Sequence, residues 1–134
     1  FTRDYDVSNA CPPGTTVSWG LWSWSAKTPG DSRIDFFVQT AATSAGLLSA
    51  PVDPLQFTNP PGPSSLVGTQ ASAKAGVPDT QGGSALVDTT LATNGRPLDH
   101  AYMRVTSTLV PSSDATQTPT LTTWNQQFAC VPSE

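Results

Sequence analysis

Hydrophobic and polar residues alternate with a period of two along several stretches of this chain, which is the pattern of strands buried on one face. The clearest stretch is 32–40, where one face takes Ile34, Phe36, Val38 and Thr40. In the stretch 101–110 the inward positions are Met103, Val105, Ser107 and Leu109. In the stretch 120–131 one face takes Trp124, Phe128 and Cys130. The stretch 85–91 alternates more weakly and is predicted as a strand, and no segment follows the 3.6-residue period of a helix.

The stretch 16–26 changes phase in its middle. Its apolar positions are first Val17, Trp19 and Leu21, and then Trp22, Trp24 and Ala26. The change falls at Gly20–Leu21, which predicts a β-bulge or bend at that point. The turn-forming residues of 27–31 then predict a hairpin between the strands 16–26 and 32–40.

Two regions lack this alternation. Residues 1–15 are polar and are expected to form an extended lead-in, and residues 49–84 are predicted to be a loop-rich insertion packed along the fold or held by a neighbour. The chain 1–134 is therefore predicted to be one all-β domain. Its expected architecture is an antiparallel β-sandwich, jelly-roll or immunoglobulin-like, with about eight strands and long Pro/Gly-rich central loops.

Composition narrows the function classes. The chain has 134 residues, of which 12% are charged, and its net charge is −4. The six basic residues are scattered, which argues against nucleic-acid binding. No polybasic segment or long apolar run is present, so no membrane insertion is expected. The opening FTRDYD lacks the features of a signal peptide, so we expect a mature product or a fragment of a longer exported protein.

The two cysteines, Cys11 and Cys130, lie near opposite ends of the chain, and their spacing fits neither a zinc site nor a redox motif. A disulfide between them would close a loop of about 120 residues, worth roughly 5 kcal/mol in chain entropy, and would need the first and last strands side by side. The alternative is two buried free thiols in a reducing compartment. The even pair, the few lysines and the many hydroxyls favour export, so we expect an extracellular or cell-surface protein.

Candidate catalytic residues are few. His100 is the only histidine, no Gly-x-Ser-x-Gly turn accompanies it, and an exposed loop position is the favoured interpretation. Asp35 lies inside a strand and is expected to pair with Arg33 or Lys27. We predict no catalytic residue, no enzyme and no required cofactor. A calcium cage stays open without assigned ligands, the loop candidates being Asp31, Asp79, Asp88, Asp99 and Asp114.

Three tryptophans, Trp19, Trp22 and Trp24, crowd one strand, and strict alternation does not place all of them on one face. The first interpretation is a core role, with Trp24 meeting Trp124 across the two sheets. The alternative is an exposed ring that stacks on sugars, for which Trp19 or Trp22 is the candidate.

Two parts of the chain resemble a known group of proteins. The first is CPPGTTVSWGLWSWSAKTPGDSRIDF from Cys11, followed by VQTA from Val38. The second comprises YMRVTSTLVPSSD from Tyr102, TPTLTTW from Thr118 and FAC from Phe128. Both resemble the β-sandwich modules of large secreted surface proteins of myxobacterial type, including proteins similar to type IV pilus tip adhesins of the PilY family. The resemblance, in which 42–100 takes no part, implies a β-sandwich, export and a non-catalytic surface or adhesion role.

The leading hypothesis is therefore a non-catalytic extracellular structural or adhesion module of a bacterial surface protein, with other subunits or surface proteins as partners. A related version is a surface filament, a homopolymer in which an unpaired segment from Phe1 to Ala10 joins a neighbour's sheet edge. The alternative is a carbohydrate-binding module that takes glycans on an exposed tryptophan. A hydrolase is the least favoured class.

Overall fold

A computed structural model gives the fold and describes residues 2–27, 32–55, 57–59, 61–62, 66–68, 80–113 and 115–132. In chain order the strands are β1 (Thr2–Asp6), β2 (Thr15–Lys27), β3 (Arg33–Ala41), β4 (Asp53–Pro54), β5 (Phe57–Asn59), β6 (Pro61–Gly62), β7 (Leu66–Gly68), β8 (Thr80–Leu86), β9 (Tyr102–Val110) and β10 (Thr120–Pro132). A 3-10 helix spans Ala45–Leu48, and helix α1 spans Val87–Thr93.

The strands form two antiparallel sheets that pack against each other, which confirms the predicted all-β sandwich. The first sheet has the order β1-β9-β3-β4, with β7 also paired to β3, and the second has the order β10-β2-β8-β5-β6. Among the described residues, six strands have five residues or more and four have two or three. All four short strands lie within 49–84, so this stretch contributes strands to both sheets.

Strand β2 supplies much of the core because a bulge keeps its apolar side chains on one face. In the register with β10, Gly20 and Leu21 together lie opposite the single residue Gln127, which confirms the bulge predicted at this point. A strict period of two would turn part of the strand's apolar residues outward. With the bulge, the strand buries Val17, Trp19, Trp22, Trp24 and Ala26.

Strands β2 and β3 lie in different sheets, so the predicted hairpin between them is wrong. The turn residues of 27–31 favour a reversal of the chain, but they do not decide which strand becomes the hydrogen-bonded neighbour; residues 28–31 lie outside the described part. The ring centroid of Phe36 lies 6.1 Å from that of Trp22 and 5.9 Å from that of Trp24. Burying these large rings against each other places the two strands face to face across the sandwich.

The alternation predicted for β3 and β9 is confirmed over most of their length. Phe36 and Val38 of β3 are fully buried, as are Met103 and Val105 of β9 to within 1%. Leu109 departs from the prediction because it is 38% exposed. Full burial of one such side chain contributes about 1.5–3 kcal/mol, so these two strands provide most of the first sheet's share of the core.

Residues 2–6 form strand β1, which pairs with β9 along its whole length. The predicted lead-in is therefore partly a strand of the sandwich, and the prediction of an unpaired segment from Phe1 to Ala10 is wrong for these residues. The pairing is reinforced where Asp4 lies opposite Arg104, because Nε and Nη2 of the guanidinium donate to the two carboxylate oxygens at 2.7 and 2.9 Å. Strand β1 forms one edge of its sheet.

Helix α1 begins inside the stretch 85–91, so the strand predicted there is wrong beyond Leu86. The buried residues of α1 are Val87, Thr90 and Leu91, whose spacing of three and four places them on one face of a helix. The stretch is too short for its helical period to stand out from an alternating pattern, and contact with the core decides between the two.

The end of α1 follows a Schellman pattern around Asn94-Gly95. The amide of Gly95 donates to Ala92 O at 3.1 Å, and the amide of Arg96 donates to Leu91 O at 2.9 Å. Gly95 has a φ of +70°, a conformation that glycine adopts without strain. No helix in the described ranges is long and apolar enough to cross a membrane.

Cys11 and Cys130 form a disulfide whose Cα atoms lie 5.4 Å apart. Cys11 precedes β2, and Cys130 belongs to β10, which pairs with β2 along most of its length. The expectation that the strands predicted at 16–26 and 120–131 lie side by side is therefore confirmed, and the alternative of free thiols is ruled out.

We expect loss of this disulfide to lower the free energy of unfolding by about 2–5 kcal/mol, because the 119-residue separation makes the cross-link restrict the unfolded chain strongly. The double variant Cys11→Ala/Cys130→Ala should unfold at a lower urea concentration than the oxidised protein and at the same concentration as the reduced wild type. Equal midpoints for the oxidised and reduced forms would contradict this expectation.

Two buried tryptophans provide a matched pair for testing the core. Trp19 Nε1 donates to His100 O at 2.8 Å, whereas Trp22 Nε1 is buried without an acceptor among the described residues. Trp19→Phe should therefore lower the free energy of unfolding by about 1–3 kcal/mol more than Trp22→Phe, since it leaves a carbonyl without its donor. Urea unfolding of both variants measures the difference, and an equal or reversed order would refute the assignment.

Candidate functional site

The two tryptophans predicted to stack on a ligand are buried. Trp19 is 0% exposed and Trp22 is 1% exposed, so the prediction that either presents a ring to solvent is wrong. The bulge at Gly20–Leu21 is the physical reason, because it turns both rings to the inner face of β2. Neither ring offers a ligand surface in this fold.

Trp124 takes the role that was predicted for Trp19 or Trp22, that of a partly exposed ring available to a ligand. It lies directly opposite Trp24 in the β10–β2 ladder, so these two residues are neighbours in one sheet and do not meet across the sandwich as predicted. All four tryptophans lie in described residues, and Trp124 is the one that is partly exposed. It is therefore the aromatic candidate for contact with a ligand.

A cleft of about 360 Å³ lies beside Trp124, where the edge strands of the two sheets meet. Strand β1 is an edge of the first sheet, and strand β10 is an edge of the second. We name this cleft the rim cleft; its lining residues are Arg3, Tyr5, Trp124, Asn125 and Gln126. Its volume falls within the range of small-molecule sites in proteins, toward the lower end.

The aromatic side of the rim cleft is held in place by contacts between the two sheets. Tyr5 and Trp124 both pack against the core, and the Tyr5 ring lies edge-on to Trp19 with ring centroids 6.4 Å apart. The guanidinium carbon of Arg3 lies 5.6 Å from the centroid of the Tyr5 ring. Because Trp19 is fixed in the core, the Tyr5 and Trp124 side chains are positioned before any ligand arrives.

The polar side of the rim cleft comes from two consecutive residues of β10. Asn125 is exposed, and Gln126 is half-buried. The Gln126 Nε2 group donates to Gln127 O at 2.6 Å, while its Oε1 is buried and has no hydrogen-bond partner among the described residues. A buried acceptor without a donor is unfavourable by about 1–3 kcal/mol, and because solvent does not reach Gln126 Oε1, a bound molecule could pair with it only if the side chain moved.

A second, more apolar depression of about 440 Å³ adjoins Trp124. We name it the apolar depression; its lining residues are Leu109, Pro119, Thr120, Leu121 and Trp124. It shares the Trp124 side chain with the rim cleft, so this ring separates a polar site from an apolar one. The partial exposure of Leu109, which departs from the sequence prediction, follows from its place in this depression.

The charges of β1 divide between its two sides. Asp4 and Asp6 alternate with Arg3 and Tyr5, so the carboxylates project to the side away from the rim cleft. Hydrogen bonding to Arg104 holds the pKa of Asp4 below its usual value, and hydrogen bonding to Ser8 does the same for Asp6. Both carboxylates are thus engaged locally as charged groups.

A smaller cavity of about 160 Å³ surrounds the sole histidine of the sequence, His100. The prediction of a solvent-exposed loop histidine is wrong, because the residue is partly buried and its Nδ1 is buried without a partner among the described residues. The hydrogen bond from Trp19 to the His100 carbonyl draws this loop onto the core. Of the cavity's other lining residues, Asp53 and Arg96 form an ion pair through two hydrogen bonds of 2.9 and 3.0 Å.

The polar groups of this cavity are occupied as follows. Both carboxylate oxygens of Asp53 accept from Arg96, which leaves the carboxylate committed as a hydrogen-bond acceptor. Thr40 is the hydroxyl-bearing residue of the lining, and no hydrogen bond joins it to His100 within the described part of the chain. The arrangement ties β4 to the segment after α1, a structural role.

The remaining predicted residues divide between described and undescribed parts of the chain. Arg33 Nε contacts Asp35 Oδ1 at 3.1 Å, which confirms that predicted ion pair. Of the calcium candidates, Asp88 accepts a hydrogen bond of 2.7 Å from Ser18 Oγ, and Asp99 lies in the loop beside His100. The other three candidates, Asp31, Asp79 and Asp114, lie outside the described residues. No group of three or more potential metal ligands occurs among the residues that are described.

Sequence reasoning missed most of the rim cleft because its residues come from opposite ends of the chain. The signal at the N-terminal end was the alternation of Arg3 and Tyr5 with two aspartates, a period-two pattern inside the supposed lead-in. At the other end, Trp124 is followed by Asn125 and Gln126, a polar pair that is unusual next to a core ring. Either signal alone predicts an edge strand, and only their apposition makes a cleft.

Alkaline pH should loosen the contact between Tyr5 and Trp124. Burial raises the pKa of Tyr5 above its usual value of 10.0, although Arg3 and the Trp124 hydrogen bond act in the opposite direction. The neutral phenol therefore favours the folded state, and its contribution is complete below the unfolded pKa of about 10 and is lost as the pH rises through the folded pKa. Tyr5→Phe should remove part of the fall in urea midpoint above about pH 10, and Tyr102→Phe should leave the Tyr5 part in place. An alkaline fall that Tyr5→Phe does not change would contradict this assignment.

Comparisons with protein-family models, with curated proteins and with solved structures found no match to this chain. The rim cleft, the apolar depression and the His100 cavity are therefore interpreted from their own geometry and chemistry.

Proposed function

We propose that this chain is a non-catalytic module of an exported bacterial surface protein and that it acts by binding, with the rim cleft as its contact site. The observation that carries the proposal is the positioned pair Tyr5 and Trp124, which presents a partly exposed ring beside Arg3, Asn125 and Gln126 at the junction of the two sheets. Sites of this composition, aromatic with a few polar groups, are characteristic of ligand recognition.

The disulfide supports the exported part of the proposal. Cross-links between cysteines such as Cys11 and Cys130 persist in oxidising compartments and are rare where thiols are kept reduced. The resemblance of the chain to β-sandwich modules of secreted surface proteins agrees with the same location. Covalent attachment of β10 to the segment before β2 also suits a module that must resist unfolding outside the cell.

The hydrogen-bond and ion-pair partners of the carboxylates and of His100 support a binding role over a catalytic one. Asp53 is committed to Arg96, and Asp35 pairs with Arg33, so these carboxylates serve structural roles. His100 has no nucleophile hydrogen-bonded to it within the described chain. A binding role fits this fold, because its charged groups join strands and loops to one another while the rim cleft remains open to solvent.

The proposal predicts that the rim cleft mediates attachment to bacterial cell surfaces. Beads carrying the oxidised protein should be retained on bacterial cells that bear their extracellular polysaccharide, as counted by flow cytometry. Trp124→Ala and Asn125→Ala should each weaken the affinity of one protein molecule for the cells about tenfold, a loss of roughly 1.4 kcal/mol, and bead retention should fall with it. Phe128→Ala is the matched control, since it removes a ring of the same strand that is 44% exposed and lies outside the cleft lining.

Circular dichroism and urea unfolding establish that each variant is folded before its retention is compared. If beads of the wild type do not bind, or if the cleft variants and Phe128→Ala behave alike, the binding role of this cleft is refuted.

A further inference from the structure

The rim cleft contains a cation, Arg3, that is paired with no acidic side chain of the described residues. The other arginines of the described chain, Arg33, Arg96 and Arg104, each form an ion pair, whereas Arg3 has no carboxylate partner among the described residues. Its guanidinium lies against the Tyr5 ring and lines the cleft. An arginine in this state is suited to a carboxylate from outside the protein, which it can bind through two parallel hydrogen bonds.

The net charge of −4 does not oppose an anion at this position. The nearest carboxylate along β1 is Asp4, which is held by Arg104 on the other side of the strand. Of the described residues that line the cleft, Arg3 is the one that carries a charge.

The Trp124 ring gives the rim cleft a flat apolar surface. The same ring also lines the apolar depression. A chain of linked units that crosses this ring could occupy both depressions. A ligand that uses the site fully must therefore offer an apolar face of ring size and extend beyond one unit. The C–H face of a pyranose ring meets this requirement, and so do the rings of aromatic peptides.

The Asn125 side chain of β10 distinguishes these two ligand classes. Asn125 offers a carboxamide with two donors and one acceptor group at the exposed edge. A ring that carries several hydroxyls can exchange hydrogen bonds with Asn125 while its C–H face lies on Trp124. An aromatic peptide side chain has at most one polar group on its ring, so it cannot stack on Trp124 and also supply several hydrogen bonds to Asn125.

We propose that the rim cleft binds a hexuronic acid unit of an acidic polysaccharide: its carboxylate pairs with Arg3, its C–H face stacks on Trp124, and its hydroxyls bond Asn125. The neighbouring sugar unit lies over the apolar depression. This inference rests on the proposed function, since it names the ligand class of the same cleft. An acidic peptide is the competing ligand that the test must exclude.

The probe is a defined oligogalacturonate, compared with its methyl-esterified form, with a neutral glucose oligomer of equal length and with oligoglutamate. Binding is followed by the NMR signal of the Trp124 indole N–H, which the other three tryptophans, being buried, are not expected to share. We expect the oligogalacturonate to shift this signal with saturation, and to bind at least tenfold more tightly than the other three probes. The affinity should fall as salt is added, because the Arg3 contact is screened.

Substitutions at two exposed positions, Arg3 and Asn125, avoid the risk of unfolding the protein. Arg3→Gln should weaken oligogalacturonate binding at least tenfold and remove its salt dependence, while Arg3→Lys should keep part of both. Asn125→Ala should weaken the binding of oligogalacturonate with its salt dependence intact. Arg33→Gln is the control, because it makes the same change of charge at an arginine outside the cleft lining that is already paired with Asp35.

Each alternative outcome overturns a defined part of the inference. If the esterified or neutral probe binds equally well, the proposed contact between the ligand carboxylate and Arg3 is refuted. If oligoglutamate binds equally well, the proposed recognition of a sugar ring is refuted. If no oligogalacturonate binds although the beads still adhere to cells through the rim cleft, the ligand class is wrong and the proposed function stands. If neither the probe nor the cells bind, the proposed function fails together with the inference.

Discussion

The bulge in β2 is the constraint on which the rest of this structure depends. Without it, alternation would expose part of a strand that carries three tryptophans; with it, Trp19, Trp22 and Trp24 all enter the core. Their bulk requires large partners across the sandwich, and Phe36 of β3 meets two of them. The separation of β2 and β3 into different sheets is thus a consequence of where these rings are buried.

The same burial determines which surface is left for binding. Because the rings of β2 fill the interior, the aromatic groups at this rim come from the edge strands, Tyr5 on β1 and Trp124 on β10, and both are partly exposed. Trp19 connects the interior to this rim, since it packs against Tyr5 and anchors the loop at His100. The core therefore fixes the geometry of the rim cleft, and a ligand finds its aromatic contacts already arranged.

The described arginines also differ in role, since most of them form ion pairs within the fold and Arg3 does not. In a chain with only 12% charged residues, most described arginines join elements that are distant in sequence or stiffen a strand, as Arg96 does for Asp53 and Arg104 for Asp4. Arg3 lies beside the aromatic pair Tyr5 and Trp124 and forms no ion pair with a described residue. The sequence shows six basic residues and does not distinguish among them. Only their partners in the structure show which arginines form ion pairs within the protein and which one can bind a ligand.

The sequence by itself determined the class of the fold, the location of the four longest strands and the bulge at Gly20–Leu21, and it offered the disulfide between Cys11 and Cys130 as one of two alternatives. These properties follow from period-two alternation, its local change of phase and the count of cysteines, all of which are carried by neighbouring residues or by composition. Tertiary structure alone decided the sheet to which each strand belongs, the helical state of Val87–Thr93 and the exposure of Trp124 in place of Trp19. Such outcomes depend on contacts between parts of the chain up to 120 residues apart, whose burial energy outweighs local preference.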